Sequence, residues 1–114
     1  MQEALDNLRS ICPDVVAAVV LEGDGAIAAV SAGRDVGDVV GPLLTTFSTI
    51  AERATRELGR GGMSVAILQG TEGTIVARDL GAGQLLAAVA GPTVRLGLLL
   101  DDVRACADRI RLVG

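Results

Sequence analysis

The chain has 114 residues, of which 50% are hydrophobic, and its formal net charge is −4 with a sequence pI of about 4.6. This length is typical of one domain with one core, and we predict a single domain over residues 1–114. All ten basic residues are arginine and form no basic stretch, which argues against a nucleic-acid partner. Arginine without lysine is also typical of GC-rich coding and favours a bacterial source.

The sequence predicts neither a targeting segment nor a disulfide framework. The longest run without charge, residues 80–94, is interrupted by three glycines and is shorter than the roughly 20 apolar residues of a membrane-spanning helix. Glu3 and Asp6 stand where a secretion signal would carry positive charge. We therefore predict a cytoplasmic protein without membrane insertion. Cys12 and Cys106 lie far apart, and we expect two free, buried thiols.

The first predicted elements are a helix and a β-hairpin. Apolar residues recur at helical spacing from Ala4 to Ile11 and predict helix α1, which stops at Pro13. Residues 14–21 and 26–30 are rich in Val, Ile, Leu and Ala, and glycines in the turn between them permit positive φ. These two segments predict strands β1 and β2.

A longer helix, α2, is predicted from Asp38 onward. Apolar side chains recur at steps of three and four residues from Leu43 to Leu58, and Asp35 or Asp38 is the candidate N-cap. The glycine-rich residues 59–62 end the helix, because glycine adopts the left-handed cap conformation at little steric cost.

Three strands and a helix complete the chain. Residues 63–68, 74–80 and 84–90 predict β3, β4 and β5, and their short glycine-rich connections predict an antiparallel meander. Apolar residues at helical spacing then continue to Ile110 and predict helix α3, in which Gly97 would let the helix lie close on the sheet.

The order of elements predicts the architecture. The sequence α-β-β-α-β-β-β-α, with apolar residues on both faces of β1 and β5, is typical of a sheet that helices cover on both sides. We therefore predict an α/β fold built as a three-layer α/β/α sandwich around a five-stranded sheet.

Catalytic chemistry finds little support in the residue types. The chain has no His and no Lys to activate a nucleophile, and Phe47 is the only aromatic residue available to stack on a ligand. The adjacent carboxylates Asp101 and Asp102 are most simply solvated charges, as are Glu22 and Asp24. We predict no enzymatic activity, no cofactor and no metal site.

Two features of the sequence superficially resemble phosphate chemistry. Residues 59–64 contain three glycines and a serine, but they follow a helix and lack the Gly-Lys-Ser/Thr ending of a phosphate-binding loop. An arginine offered to the active site of another protein could come from Arg53, Arg56, Arg60 or Arg78. Surface arginines near glutamates are normally part of a solvated helix face, so no such role is assigned.

The element order and its punctuation resemble the roadblock (dynein light chain) family over nearly the whole chain. The segments that carry the resemblance are LEGDGAIAAVS after α1, LGRGGMSVAILQG at the end of α2, TIVARDLGAGQLLAAVA across β4 and β5, and VRLGLLLDDVRACADRI in α3. The resemblance implies a five-stranded antiparallel sheet with α2 on one face and α1 and α3 on the other.

The same resemblance implies a function in protein–protein interaction. In the bacterial branch, which includes mutual gliding-motility protein B, roadblock proteins accompany Ras-like small GTPases as activators or recruitment partners. The resemblance also implies homodimers built on α2 and the edge strand β3. We predict that the dimer interface contains Phe47, Ile50, Ala54, Met63, Val65 and Ile67.

Two other functions stay open at this point. The first is a small sensory or ligand-binding module of a signalling system, since related small α/β folds hold ligands. The second is an acid/base enzyme that uses carboxylates alone. The residues of a GTPase-binding surface are not predicted, and neither is the nucleotide state that a partner would carry.

Overall fold

The computed structural model describes residues 1–33 and 40–113. The two candidate N-caps of α2, Asp35 and Asp38, lie outside the described residues. The elements in chain order are α1 (Gln2–Ile11), β1 (Val15–Leu21), β2 (Ile27–Ala32), α2 (Val40–Glu57), β3 (Val65–Gly70), β4 (Gly73–Gly81), β5 (Gln84–Ala90) and α3 (Leu96–Val113). This order confirms the predicted α-β-β-α-β-β-β-α arrangement.

The five strands form one antiparallel sheet in the order β2-β1-β5-β4-β3. The β1–β2 hairpin and the β3–β4–β5 meander are therefore confirmed. Strand β1 pairs with β5 in the middle of the sheet, where Val19 lies opposite Ala87. Strands β2 and β3 are the two edges of the sheet.

Helices cover both faces of the sheet, which confirms the three-layer sandwich. Helices α1 and α3 pack on one face around a core that includes Leu8, Val20 and Leu99. Helix α2 packs on the other face, where Leu44 joins Val19 in a smaller core. Alternate residues of each central strand serve the two cores, as the pleat of a strand requires.

Small side chains line the centre of the sheet and bring the layers close together. Ala18 and Ala88 face α1 and α3, whereas Ala77 and Ala87 face α2. All four are completely buried. The predicted role of Gly97 is wrong, however, because a Cβ added there would meet nothing within 4 Å. Gly97 therefore lies on the side of α3 that faces away from the sheet.

Strand β3 begins two residues later than the sequence predicts. Met63 precedes the strand, and its side chain is buried in the core under α2. Because it is apolar for this reason, the sequence pattern includes it in the strand. At the other end, β3 and β4 remain paired as far as Gly70 and Gly73. The predicted five-residue connection is therefore a two-residue turn at 71–72.

The N-terminal end of α2 lies in close contact with the β1–β2 turn. A Cβ added to Gly41 would lie 2.5 Å from the carbonyl oxygen of Gly25, which real Cβ atoms do not tolerate. Gly25 itself has a φ of 89°, a conformation that favours glycine, so both residues of this contact are glycines for a structural reason. Glycine at position 41 thus allows α2 to approach the sheet.

Both cysteines are buried in the core between α1, α3 and the sheet. The Cys106 thiol donates a hydrogen bond to the Ala4 carbonyl oxygen at 3.4 Å, and burial raises the pKa of Cys106 to about 11. Burial also raises the pKa of Cys12, and the nearby Asp102 carboxylate raises it further. The predicted free, buried thiols are confirmed.

Two helical glycines provide a matched test of the packing of α2. Alanine favours a helix over glycine by up to about 1 kcal/mol, but overpacking costs about 1–3 kcal/mol. We expect Gly41→Ala to lower the free energy of unfolding by about 1–2 kcal/mol, since the clash outweighs propensity. The control, Gly97→Ala, should be neutral or stabilising. Chemical denaturation of both variants measures this, and equal effects would contradict the proposed contact.

The cysteines should be unreactive in the folded protein. At pH 8 a thiol with a pKa of about 11 is almost entirely protonated, and only the thiolate reacts. We expect a disulfide reagent to modify the native thiols on the order of 100-fold more slowly than those of the denatured protein. Two thiols should titrate in denaturant without reductant. Rapid modification of the native protein would contradict this arrangement.

Candidate functional site

Helix α2 buries few of its apolar residues. Of its 18 residues only Gly41 and Leu44 are buried. Leu43 and Ile50 are 63% and 65% exposed, and Leu58, directly after the helix, is 74% exposed. The apolar part of α2 is therefore wider than the part that the sheet covers.

The uncovered apolar residues lie along one flank of α2. Leu43, Phe47, Ile50 and Ala54 follow each other at steps of four, three and four residues, which places them on one side of a helix. Phe47 is half-buried and packs at the margin of the core under α2. Ile50 and Ala54 are exposed. The flank therefore continues the core outward into solvent.

Strand β3 adds a second apolar segment at the edge of the sheet. Ala66 lies opposite Ala77, and Leu68 lies opposite Ile75, so both side chains are on the face that α2 covers. Leu68 is nevertheless 48% exposed. Among residues 1–33 and 40–113, β3 pairs with β4 alone, so its other edge is open. We use the name α2/β3 surface for this edge together with Leu43, Phe47, Ile50, Ala54, Leu58 and Leu68.

The six residues predicted for the dimer interface fall into different environments. Phe47, Ile50 and Ala54 lie together on the uncovered flank of α2, whereas the Met63 side chain is buried in the core. Val65 packs against the core under α1 and α3, and Ile67 lies on that same face with 38% exposure. As an interface, this set stays a prediction.

Sequence reasoning missed three exposed leucines of the α2/β3 surface. Leu43 and Ile50 are seven residues apart, so the helical period could have placed both on one flank. Leu58 lies four residues beyond Ala54 and carried the same signal. Leu68 alternates with Ile67 along β3, but the face it occupies depends on where the strand begins.

The opposite flank of α2 is polar and forms one wall of a cleft. This cleft has a volume of about 490 Å³ and lies between α2 and the turns that join β1 to β2 and β4 to β5. Thr45, Thr49 and Arg56 line it from the helix. Two hydroxyl groups of the lining donate to the Thr45 carbonyl oxygen, that of Thr49 at 2.8 Å and that of Ser48 at 3.0 Å.

Glu52 connects this polar flank to the segment that leads into β3. Its carboxylate accepts a hydrogen bond from the Met63 backbone N–H at 2.6 Å and another from the Arg56 guanidinium. Both hydrogen bonds lower the pKa of Glu52 below its ordinary value, and the bond from Met63 has the larger effect. Glu52 is therefore ionised at neutral pH and tied to two different elements.

The groups considered for chemistry form no recognisable centre. Within the described part of the chain, no three His, Cys, Asp or Glu residues are close enough to hold a metal ion. Glu22 accepts hydrogen bonds from the Gln84 amide, and Asp24 accepts one from the Ala26 backbone N–H. Both carboxylates therefore stabilise turns.

Four arginines could in principle reach the active site of another protein. Two of them, Arg53 and Arg56, form ion pairs with glutamates on α2. Arg53 contacts Glu57 at 3.0 Å, and Arg56 contacts Glu52, each at a spacing of four residues. Arg60 lies in the exposed turn after the helix, where its backbone N–H bonds the Thr55 carbonyl oxygen. These surroundings are those of a solvated helix face and its cap.

The chain is similar in sequence to one protein of an archaeon. No protein-family model matches the chain. An uncharacterised protein of Methanocaldococcus jannaschii is 29% identical over 98 residues, which are 85% of this chain and 82% of that protein. Within the described residues, no helix is long and apolar enough to cross a membrane.

Solved structures identify the fold. A Roadblock/LC7 domain from Streptomyces avermitilis superposes with a TM-score of 0.89 at 20% identity, covering 99% of this chain and 96% of that one. MglB of Myxococcus xanthus also gives 0.89 at 11% identity, with coverages of 98% and 92%. An MglB with a tetrameric arrangement gives 0.87 at 16% identity, with coverages of 97% and 85%. The chain has the Roadblock/LC7 fold, as the sequence resemblance implied.

Proposed function

We propose that this protein is a homodimeric, non-enzymatic regulator or scaffold that binds a Ras-like small GTPase. The observation that carries the proposal is the α2/β3 surface, in which exposed apolar residues adjoin an open strand edge on a Roadblock/LC7 fold. The sequence resemblance to roadblock proteins supports the choice of a small GTPase as partner. Activation of hydrolysis and recruitment of the GTPase are both compatible with this role.

Self-association through the α2/β3 surface has a physical rationale. Two β3 strands that pair edge to edge would satisfy each other's open backbone groups, which an isolated apolar edge leaves prone to aggregation. Leu43, Ile50 and Leu58 are each more than 60% exposed. Burying a side chain of this size contributes about 1–2 kcal/mol. Six such side chains in a dimer contribute about 6–12 kcal/mol, which is comparable with the cost of association.

Backbone hydrogen bonds between the two β3 strands would add to the free energy of association that the apolar side chains contribute. Each hydrogen bond between two β3 strands adds about 1 kcal/mol net, and it fixes the register of the two copies. An interface of this kind is expected to bury about 1,200 Å² or more in total. The solvated Arg53–Glu57 pair, whose side chains are 77% and 65% exposed, suits the rim of such an interface.

A small sensory or ligand-binding module is the alternative function. The polar cleft between α2 and the two turns is the observation that favours it. Among the described residues its charged lining consists mainly of carboxylates, including Glu22 and Asp79, and the one guanidinium among them, that of Arg56, is paired with Glu52. A nucleotide would bring negative charge into this lining, so the cleft does not suit a phosphate ligand.

The dimer is tested by mass and by a charge placed in the α2/β3 surface. We expect sedimentation equilibrium at micromolar concentration to give twice the monomer mass of 11.6 kDa. Ile50→Arg should weaken the dimer on the order of 100-fold, because an unpaired guanidinium would be buried at the interface. The matched control is Leu98→Arg on α3, where the leucine is 57% exposed. Dissociation by the control, or none by Ile50→Arg, would contradict the interface.

The partner is tested by binding assays with nucleotide and with GTPases. We expect titration calorimetry to detect no binding of GTP or GDP by the isolated protein. We expect co-elution with a small GTPase of the same genome, loaded with either GDP or a GTP analogue. The net charge of −4 should speed association with a basic surface, so the association rate should fall as salt rises. Micromolar nucleotide binding would contradict the expected absence of a nucleotide site, and no co-elution in either state would favour the sensory alternative.

A further inference from the structure

The two halves of α2 are attached to the sheet in different ways. Its two buried residues, Gly41 and Leu44, both lie in the first two turns. The second half of the helix contains no fully buried residue, and Ala51 is only half-buried at the margin of the core. Apolar packing therefore holds the N-terminal half of α2 more firmly than the half that carries Ile50 and Ala54.

The end of α2 is capped by bonds that stay within the helix and its turn. Gly59 has a φ of 73°, and its N–H donates a hydrogen bond to the Arg56 carbonyl oxygen at 3.0 Å. The Arg60 N–H donates to the Thr55 carbonyl oxygen at 2.7 Å. This is the Schellman arrangement that ends many helices. It fixes the cap, but it does not connect the helix to the sheet.

Glu52 supplies that connection. Of the hydrogen bonds between described residues, the bond from the Met63 N–H to Glu52 Oε2 is the one that joins an α2 side chain to a residue beyond the capping turn. Met63 is 7% exposed, and the Asp79 N–H bonds the carbonyl oxygen of the next residue, Ser64, at 3.0 Å. The carboxylate thus reaches the sheet through the start of β3.

The backbone just before Met63 passes close to the Glu52 side chain. A Cβ added to Gly62 would lie 3.1 Å from Arg56 Nη2 and 3.4 Å from Glu52 Oε1. The backbone at position 62 therefore passes directly beside the ends of the Glu52 and Arg56 side chains. Glu52 accepts from both the helix and the strand segment, which restrains its own side chain as well.

Glu52 and the apolar flank lie on opposite sides of the same turns. At about 100° per residue, Ile50 and Ala54 are each about 160–200° away from Glu52 around the helix axis. A bond that holds Glu52 toward the start of β3 therefore holds Ile50 and Ala54 toward solvent. Together with the packing of Phe47 and Ala51 at the margin of the core, this carboxylate sets the orientation of the apolar flank relative to the β3 edge.

We infer that Glu52 is a positioning residue that fixes the C-terminal half of α2 against the start of β3, and so sets the α2/β3 surface for self-association. The inference rests on the proposed self-association for its functional part. Glu57 provides a matched control, because it pairs with Arg53 at the same spacing one turn further along and bonds nothing beyond the helix among the described residues.

The test compares Glu52→Ala with Glu57→Ala in the full chain. We expect Glu52→Ala to raise the dimer dissociation constant on the order of tenfold, as the loss of a charged hydrogen bond would. Glu57→Ala should change it less than about twofold. Glu52→Gln keeps one acceptor oxygen and should give an intermediate loss. Circular dichroism confirms that each variant is folded, and equal dissociation constants for Glu52→Ala and Glu57→Ala would overturn the inference.

Amide exchange measured by NMR tests the positioning step separately from dimerisation. We expect the Met63 amide proton to exchange faster in Glu52→Ala than in Glu57→Ala when both variants also carry Ile50→Arg, which weakens the dimer. If the wild-type protein is a monomer at every concentration, the proposed self-association fails while this readout still tests Glu52. Unchanged protection of the Met63 amide in Glu52→Ala would overturn the positioning role.

The pH dependence gives a further readout. The hydrogen bond from the Met63 N–H is the main cause of the lowered pKa of Glu52. The ionised carboxylate therefore stabilises the fold fully above the ordinary pKa of glutamate. This stabilisation is lost as pH falls through the lowered pKa. The charged groups that face it in the cleft are Arg56, Asp79 and Glu22. Subtracting the profile of Glu52→Gln removes their contribution. We expect the difference in the free energy of unfolding between the two proteins to shrink as pH falls below about 4.3, the ordinary pKa of glutamate, and an undiminished difference at pH 3 would contradict the role of the charge.

Discussion

Both faces of the central strands are apolar, so the sheet is stable only where a helix covers each face. Helices α1 and α3 together cover one face, with seventeen buried residues in that core among the described part of the chain, against seven in the core under α2. One helix cannot cover as much of a five-stranded sheet as two can. The apolar surface that α2 leaves open follows from this difference in coverage.

The location of the open surface follows from the same constraint. The N-terminal half of α2 lies close to the sheet because Gly41 has no side chain to collide with the β1–β2 turn. The C-terminal half depends on Glu52 and on the segment before β3. Leu68 and the open edge of β3 lie on the same face as this less buried half. A second copy of the chain would supply both missing apolar contacts and missing backbone partners.

Much of the fold could be predicted from the sequence because local signals agree with it. Helical periods, glycine-rich turns and apolar strands gave the order of all eight elements, and β5 has the predicted boundaries of Gln84 and Ala90. The start of β3 was missed because Met63 is apolar for a reason of its own, burial before the strand begins. The role predicted for Gly97 was wrong although the helical period carries the signal, since it places Gly97 away from the apolar stripe of Leu99 and Val103.

The candidate site was harder to predict, since its parts come from separate elements. Helical spacing identified Phe47, Ile50 and Ala54, but how much of that flank the sheet covers depends on the crossing of α2 over the strands. The bond between Glu52 and Met63 joins residues eleven positions apart and has no signature in the sequence. It becomes visible only when the helix, the capping turn and the strand are placed together.

The most direct test of the account is whether the α2/β3 surfaces of two copies touch in solution. Mixing isotope-labelled and unlabelled protein allows NMR to select contacts between copies from those within one copy. The account predicts intermolecular nuclear Overhauser effects from the methyl groups of Ile50 and Leu68. Intermolecular contacts confined to α1, α3 or β2, or no such contacts at millimolar concentration, would contradict it.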